Sequence, residues 1–418
     1  MVRTSHFVRK PCGKAVGKTY YKTISRLYKK NILRFTIIVT LIALSVALVT
    51  GIGAIAPRMY DGIELIKNSR TEEQIAFSTG IADKIQTISY IFPVFFIIVA
   101  IMVVFITISR LVEEERASIA VLKTMGYNNA SIVFKYVLFA ASAAIIGCTV
   151  GLILGYFGIL PLLFKVIADE HKLPKTDYTF PTFGFVSAMV TLILVTLVAF
   201  FITLSCAHGR PSQLLMQKSP KQGGKIFLER MPFIWKRLKF KYKSTCRNIF
   251  RYKMRFAMTV FSVMGATALV FVGVALFFVL KNETMVGSIV PISVVLTVCS
   301  VFLAALIIYN ITNINIEERK REIATLRVLG YKNIEVCGYI FRELFFLVAM
   351  GIALGLPLGF YFLKFLMDSM SFGAIESVKW YVWIIVTALS FVALALANLL
   401  LFRKIHKIDM NGSLKTVE

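Results

Sequence analysis

Acidic residues are scarce in this chain: 22 Asp and Glu stand against 48 Lys and Arg over 418 residues, a formal net charge of +26. Histidine is scarcer still, and His6, His171, His208 and His406 are scattered. No zincin pattern, nucleophile elbow or pair of intramembrane carboxylates accompanies them, so each reads as a solvated or interfacial residue and no catalytic residue is assigned. Cys12, Cys148, Cys206, Cys246, Cys299 and Cys337 lack paired metal-type spacing, which indicates neither a metal site nor a disulfide framework. There is no Gly-x4-Gly-Lys-Ser/Thr loop, which excludes the usual phosphate cradle for ATP. No cofactor is implied.

Charge is also missing from the middle of the apolar runs. Ion-coupled carriers and proton pumps keep carboxylates, histidines or arginines there despite a cost of about 2.5 to 3.5 kcal/mol or more each. Lys135, Arg342, Glu343 and Lys364 fall near predicted span ends, where snorkelling accounts for them. Work against a gradient would then be driven from outside this chain.

What the chain has in quantity is hydrocarbon: 57% hydrophobic residues and a mean hydropathy of +0.75, beyond a soluble domain. Segments able to cross about 30 Å of hydrocarbon, roughly 20 residues each, lie near 35–56, 88–109, 132–164, 183–206, 256–280, 289–314, 338–366 and 380–402. The third and seventh are long enough to tilt or project. Residues 1–34 form a basic segment with no acid, and Arg210 to Arg255 holds one acid, Glu229. Both are therefore placed in the cytoplasm, and an even count of spans puts both termini there. The positive charge so confined reflects topology, not nucleic acid. The segments between the first two spans of each half, 57–87 and 281–288, are expected as short outer loops. The first span recurs in the second half, so it reads as a retained helix and not a signal peptide.

Self-comparison decides the architecture. Residues Glu113 to Tyr127, EEERASIAVLKTMGY, align without gaps on Glu317 to Tyr331, EERKREIATLRVLGY, at an offset of 204 positions. The same offset carries Gly147, Gly151 and Gly155 onto Gly351, Gly355 and Gly359. Upstream, Arg34-Phe35 matches Arg255-Phe256 at an offset of 221. The chain thus reads as an all-α polytopic membrane protein of about eight transmembrane helices in two parallel four-helix repeats. Its parts are a basic leader 1–34, a first unit 35–206, a basic linker 207–255, a second unit 256–402 and a tail 403–418. Residues 227–243 of the linker suit an interfacial helix on an anionic leaflet.

The repeated charged segment starts with acids, continues with Ile119, Ala120, Leu122 and Met125 at helical spacing, and stops at Gly126; its counterpart presents Ile323, Ala324, Leu326 and Leu329 before Gly330. Each reads as a short amphipathic helix at the cytoplasmic surface, either a plain connector or a docking lever for a partner. The glycine ridges allow close helix packing and are a candidate for a sliding seam between the halves. Pro161 and Pro357 are candidate kinks.

Acids and bases, Ile-Ala, Leu-Lys/Arg, a hydrophobic residue and Gly-Tyr after a span, followed by a glycine-rich span, resemble the FtsX-like permease domain of MacB-type (type VII) ABC transporters, here in two tandem copies. Arg247 to Arg255 resembles that family's basic entry helix. The resemblance implies a bacterial cell-membrane permease subunit powered by a dimer of a separate cytoplasmic ATPase. It also implies that Glu113, Glu114, Arg116, Ile119, Leu122, Lys123, Gly126 and Tyr127, with Glu317, Glu318, Glu322, Ile323, Leu326, Arg327, Gly330 and Tyr331, couple to that ATPase. The family usually carries a sizeable extracytoplasmic domain between the first two helices of a unit, which this chain lacks. The lack of polar midplane residues points to an amphipathic or lipid-like substrate. The alternatives are a mechanotransmitter acting on an extracellular partner, and an ATPase-independent carrier.

Overall fold

A backbone in hydrocarbon has no water to bond, so its apolar runs satisfy their amides within helices. The computed structural model describes residues 13–67, 71–171, 182–209, 211–212, 243, 247, 253–282, 289–331, 333–370 and 378–406, and among these there is no strand. The first half comprises α1 (Gly13–Lys30), α2 (Ile32–Gly53), α3 (Ile55–Ile66), α4 (Glu72–Glu114), α5 (Arg116–Thr124), α6 (Asn129–Leu154), a π-helical turn (Gly155–Ile159), α7 (Leu160–His171) and α8 (Thr182–Ala207). The second comprises α9 (Lys253–Asn282), α10 (Val290–Glu318), α11 (Lys320–Val328), α12 (Asn333–Ser369) and α13 (Trp380–His406). Among the described residues, eight stretches are long and apolar enough to cross a membrane. The linker residues expected as an interfacial helix, 227–243, lie outside the described residues apart from Lys243.

The two halves share one packing rule. A Cβ placed on Gly151 or Gly155 would come within 2.6 Å of the carbonyl oxygens of Ala43 and Ala47, and one on Gly147 within 3.0 Å of that of Val39. In the second half a Cβ placed on Gly351, Gly355 or Gly359 would lie 3.2, 2.7 or 3.1 Å from the carbonyl oxygens of Val260, Met264 and Ala268. The partners are shifted by 221 positions and the glycines by 204, so both sequence offsets recur in one helix pair. Each ridge therefore grips the first long helix of its own half, with no side chain to hold the backbones apart. This corrects the expectation of a glycine seam between the halves: the ridge faces α2 or α9, and the boundary is formed elsewhere.

That boundary is built by α2 and α4 against α9 and α10, with α4 also reaching α12. Bulk and polarity fill it. Phe95 stacks on Phe362 with centroids 4.2 Å apart, and a Cβ on Gly265 would sit 3.2 Å from Val99. Burial ranks the helices accordingly: the apolar window of α9 is 83% buried and that of α8 only 22%, placing α9 at the centre and α8 at the periphery.

Within the segment 57–87, residues 57–66 and 72–87 are helical, not an outer loop. α3 continues almost directly from α2 through Ala54, and α4 runs 43 residues without interruption, about 65 Å at the helical rise. That is roughly twice the hydrocarbon thickness, so α3, the first turns of α4 and α7 form a helical extension at the end far from α5 and α11. Arg58 of this extension lies 5.6 Å from the Tyr156 ring and 5.8 Å from that of Phe164. Alternating polar and apolar residues concealed the helix, because its apolar face is covered only when α3 meets α4 and α7. The two prolines also differ: Pro161 follows the π-helical turn, whereas Pro357 lies inside the unbroken α12.

Candidate functional site: the paired charged segments

One residue separates each long helix from its short charged helix. Glu115 (φ −87°, ψ 10°) joins α4 to α5, and Arg319 (φ −103°, ψ 11°) joins α10 to α11. Hydrogen bonds run through both joints, Ile119 N–H to Glu115 O and Ile323 N–H to Arg319 O, each 2.9 Å. Each short helix is therefore a bent continuation of a membrane-crossing rod.

Both end in the same way. Gly126 and Gly330 have φ of +88° and +89°, conformations that glycine adopts without Cβ strain. Tyr127 N–H bonds to Leu122 O and Gly126 N–H to Lys123 O; Tyr331 and Gly330 repeat this with Leu326 and Arg327. These pairs of bonds satisfy carbonyls that a helix end would leave open.

Ile119, Ala120 and Leu122 are buried, as are Ile323 and Ala324, and Leu326 is half-buried. Met125 and Leu329 do not join them: they are 57% and 69% exposed. The expected apolar face is thus too wide by one residue in each copy, because the helix ends before the last apolar position turns inward. Val121, Val328 and Tyr331 are also exposed, leaving apolar side chains on the outer surface of both turns.

The acids converge on two arginines of the first half. Arg34, only 2% exposed, donates through one terminal nitrogen to Glu114 Oε1 at 2.7 Å and to Glu317 Oε2. Arg110 lies 2.8 Å from Glu318 and 3.7 Å from Glu113. Because Glu113 aligns with Glu317 and Glu114 with Glu318, each arginine takes one acid of each kind, one from each half. The aligned position of Arg110 in the second half is Ile314, so that link has no counterpart there.

At the joints the repeat reverses sign. Glu115 accepts a 2.7 Å bond from Lys30, whereas the aligned Arg319 donates to Glu343. Burial alone would raise the Glu115 carboxyl, but hydrogen bonds from Lys30 and Ser118 and the charges of Lys30 and Lys135 outweigh it and hold the carboxyl below its ordinary range. Lys135 and Glu343 are consequently not snorkelling: both are buried, because each faces a joint residue of opposite sign. α1 braces the first segment further, with Tyr20 stacked on Tyr127 at 5.9 Å and its hydroxyl bonded to Ser131 O at 2.6 Å. Lys123 Nζ donates to Gly209 O at 2.8 Å; Arg116 and Arg327 are half-buried, and Glu322 is exposed.

Sequence reasoning missed Arg110, Glu115, Arg319, Lys30 and the partnership of Glu343, and treated Arg34 only as a landmark of the repeat. A cation three residues before an acid run, and opposite signs at one aligned position, were the available signals. It also passed over the asparagines of α10. Asn310 is buried and donates to Thr107 Oγ1 at 2.9 Å across the boundary between the halves, while Thr107 bonds its own helix at Val103 O.

A duplicated four-helix unit, eight membrane-length helices and paired charged turns at one end define a multi-pass membrane protein of the permease type. The family model for the FtsX-like permease C-terminal domain matches residues 90–208 and again 294–410, more than half of the chain. The two matches start 204 positions apart, the offset of the repeat, and each contains one charged segment. The chain belongs to the FtsX-like permease family, an ABC transporter permease component and, in bacteria, a protein of the cell membrane. No curated protein and no solved structure matches it.

Proposed function

We propose that this chain supplies both halves of the transmembrane part of a MacB-type complex, with both termini in the cytoplasm and a dimer of a separate ATPase docked on the turns that end α5 and α11. The observation that carries the reading is the matched pair of exposed residues, Met125 and Leu329, each held beside a left-handed glycine on a helix rigidly joined to a membrane-crossing rod. Closing the ATPases on nucleotide would press on both turns. The shared arginines would make the two rods respond together. The output is export of an amphipathic or lipid-like substrate.

The test is co-purification of the chain with its native neighbours and assay of the ATPase that accompanies it. Met125→Glu with Leu329→Glu places carboxylates on the docking surface without touching the buried anchors, and recovery of ATPase activity should fall at least about tenfold. Recovery equal to wild type would refute docking at these turns. A second reading, transmission of motion to an extracellular partner, draws support from the unbroken run of α4 from the charged end to the far extension. Crosslinking from residues 72–84 to a wall enzyme is its expected result.

A further inference from the structure

At the far end, a groove of about 350 Å³ opens between the end of α2, the middle of α4 and the start of α8. Gly53 closes α2 and Thr182 opens α8, so the groove lies where the apolar spans end. Gln86, Tyr90 and Thr182 bring polar groups to it, the buried Ser89 behind them donates to the Gln86 carbonyl at 2.8 Å, and Phe183 and Val186 supply apolar wall. Among the described residues lining it, the Tyr90 phenol is the one ionisable group.

Neighbouring residues hold the polar groups in place. Gln86 bridges Tyr60 at 3.1 Å and Tyr90 at 3.0 Å, and Tyr60 is itself bonded to Asp83. Tyr90 packs edge-on against Phe183 at 5.0 Å. The Phe183 ring sits where a side chain on Gly53 would be, 2.8 Å from such a Cβ. A phenol that accepts from Gln86 keeps its own proton free to donate.

The aligned residues of the second half do not repeat this groove chemistry. Under the two repeat offsets Gln86 aligns with Val290, Tyr90 with Val294 and Gly53 with Val274, and only Ser89 keeps its type, as Ser293. Simple packing is met by valines in one copy. The polar set in the other copy calls for a separate reason.

We propose that this groove binds the head of an uncharged amphiphile bearing hydroxyl or amide groups, whose hydrocarbon tail runs down the exposed face of α8 past Val186 and Val190. A charged head would be desolvated without a counter-ion, a cost that hydrogen bonds from neutral groups do not cover. A neutral head exchanges water for Gln86, Tyr90 and Thr182 at little cost. The apolar side chains beside the groove, 58% exposed at Val186, continue into the bilayer. This site gives the amphipathic substrate of the proposed function a chemical class, and so rests on that reading.

The test uses the full chain in phosphatidylcholine nanodiscs with two photoactivatable probes of identical acyl chains, a diacylglycerol and a phosphatidylglycerol. The diacylglycerol should label peptides containing residues 86–90 and 182–186, with the anionic probe labelling them at least about fivefold less. Tyr90→Phe and Gln86→Val, the latter the second half's own residue, should each lower diacylglycerol labelling about fivefold, as expected for a lost hydrogen bond. Gly53→Val should remove it by driving the Phe183 ring out of the groove wall. Equal labelling by both probes, or labelling that Tyr90→Phe and Gln86→Val leave unchanged in protein of wild-type melting temperature, overturns the proposal. The assay contains no nucleotide. Selective labelling in a protein that no ATPase accompanies would keep the site and sink the transport reading, and ATPase coupling without selective labelling would do the reverse.

Discussion

Arg34 near the start of α2 and Glu317 near the end of α10 are bonded across 283 positions of chain, and the same arginine nitrogen holds Glu114 at 2.7 Å. A single buried guanidinium thus joins the charged segments of both halves. Removing one partner of such a cluster leaves buried charge uncompensated.

Arg34→Gln should therefore lower the melting temperature in detergent and lengthen the distance between spin labels at positions 125 and 329. The expected loss is on the order of 2 to 4 kcal/mol, below the range for a fully buried pair because both acids keep some solvent contact. Arg34→Lys keeps the charge without the planar fork and should fall between the two. An unchanged distance distribution in Arg34→Gln would show that the segments are held apart from this cluster.

The reversed signs at the two joints yield a swap experiment. Arg319→Glu alone places a carboxylate against Glu343 and should destabilise by roughly 3 kcal/mol or more. Adding Glu343→Arg restores opposite charges, and should recover at least half of the loss in a double-mutant cycle. Strict additivity of the two changes would mean that the pair contributes nothing as a pair.

Glycine positions separate packing from flexibility. Gly151→Ala drives a Cβ to 2.6 Å from the Ala43 carbonyl, whereas Gly158→Ala meets nothing within 4 Å. The first should cost about 1 to 3 kcal/mol by forcing α2 and α6 apart, and the second should be neutral on packing. Thermal melts of the two variants side by side check the difference.

The lowered Glu115 carboxyl fixes a pH dependence. A depressed folded value means that the tie to Lys30 contributes fully above the ordinary carboxylate range and is lost as pH falls through the lowered value. Amide exchange of residues 20–31 and 115–124, corrected for intrinsic rate, should be flat from pH 8 to about pH 5 and quicken only below the ordinary Glu value of about 4.3. Quickening near neutrality would count against this assignment, and Glu115→Gln should abolish the acid step.

The sequence by itself determined the count of spans, their duplication and the stops at Gly126 and Gly330, because these follow from local rules: the length of an apolar run, self-similarity, and a left-handed turn that favours glycine. It also located the acids of the charged segments. It did not determine their partners, since Arg34 and Glu317 meet only when α2 packs against α10, and nothing local to either residue specifies that contact. The exposed position of Met125 was equally out of reach, because an apolar residue at helical spacing is buried only if the helix extends far enough to turn it inward. The ridge of Gly147, Gly151 and Gly155 announced close packing without naming the neighbour, which a backbone of constant shape cannot do. Only the tertiary structure decided that the glycines bind each half together while arginines, asparagine and aromatic rings join one half to the other. Steric fit and ion pairing are properties of two surfaces, and a single sequence shows one surface at a time.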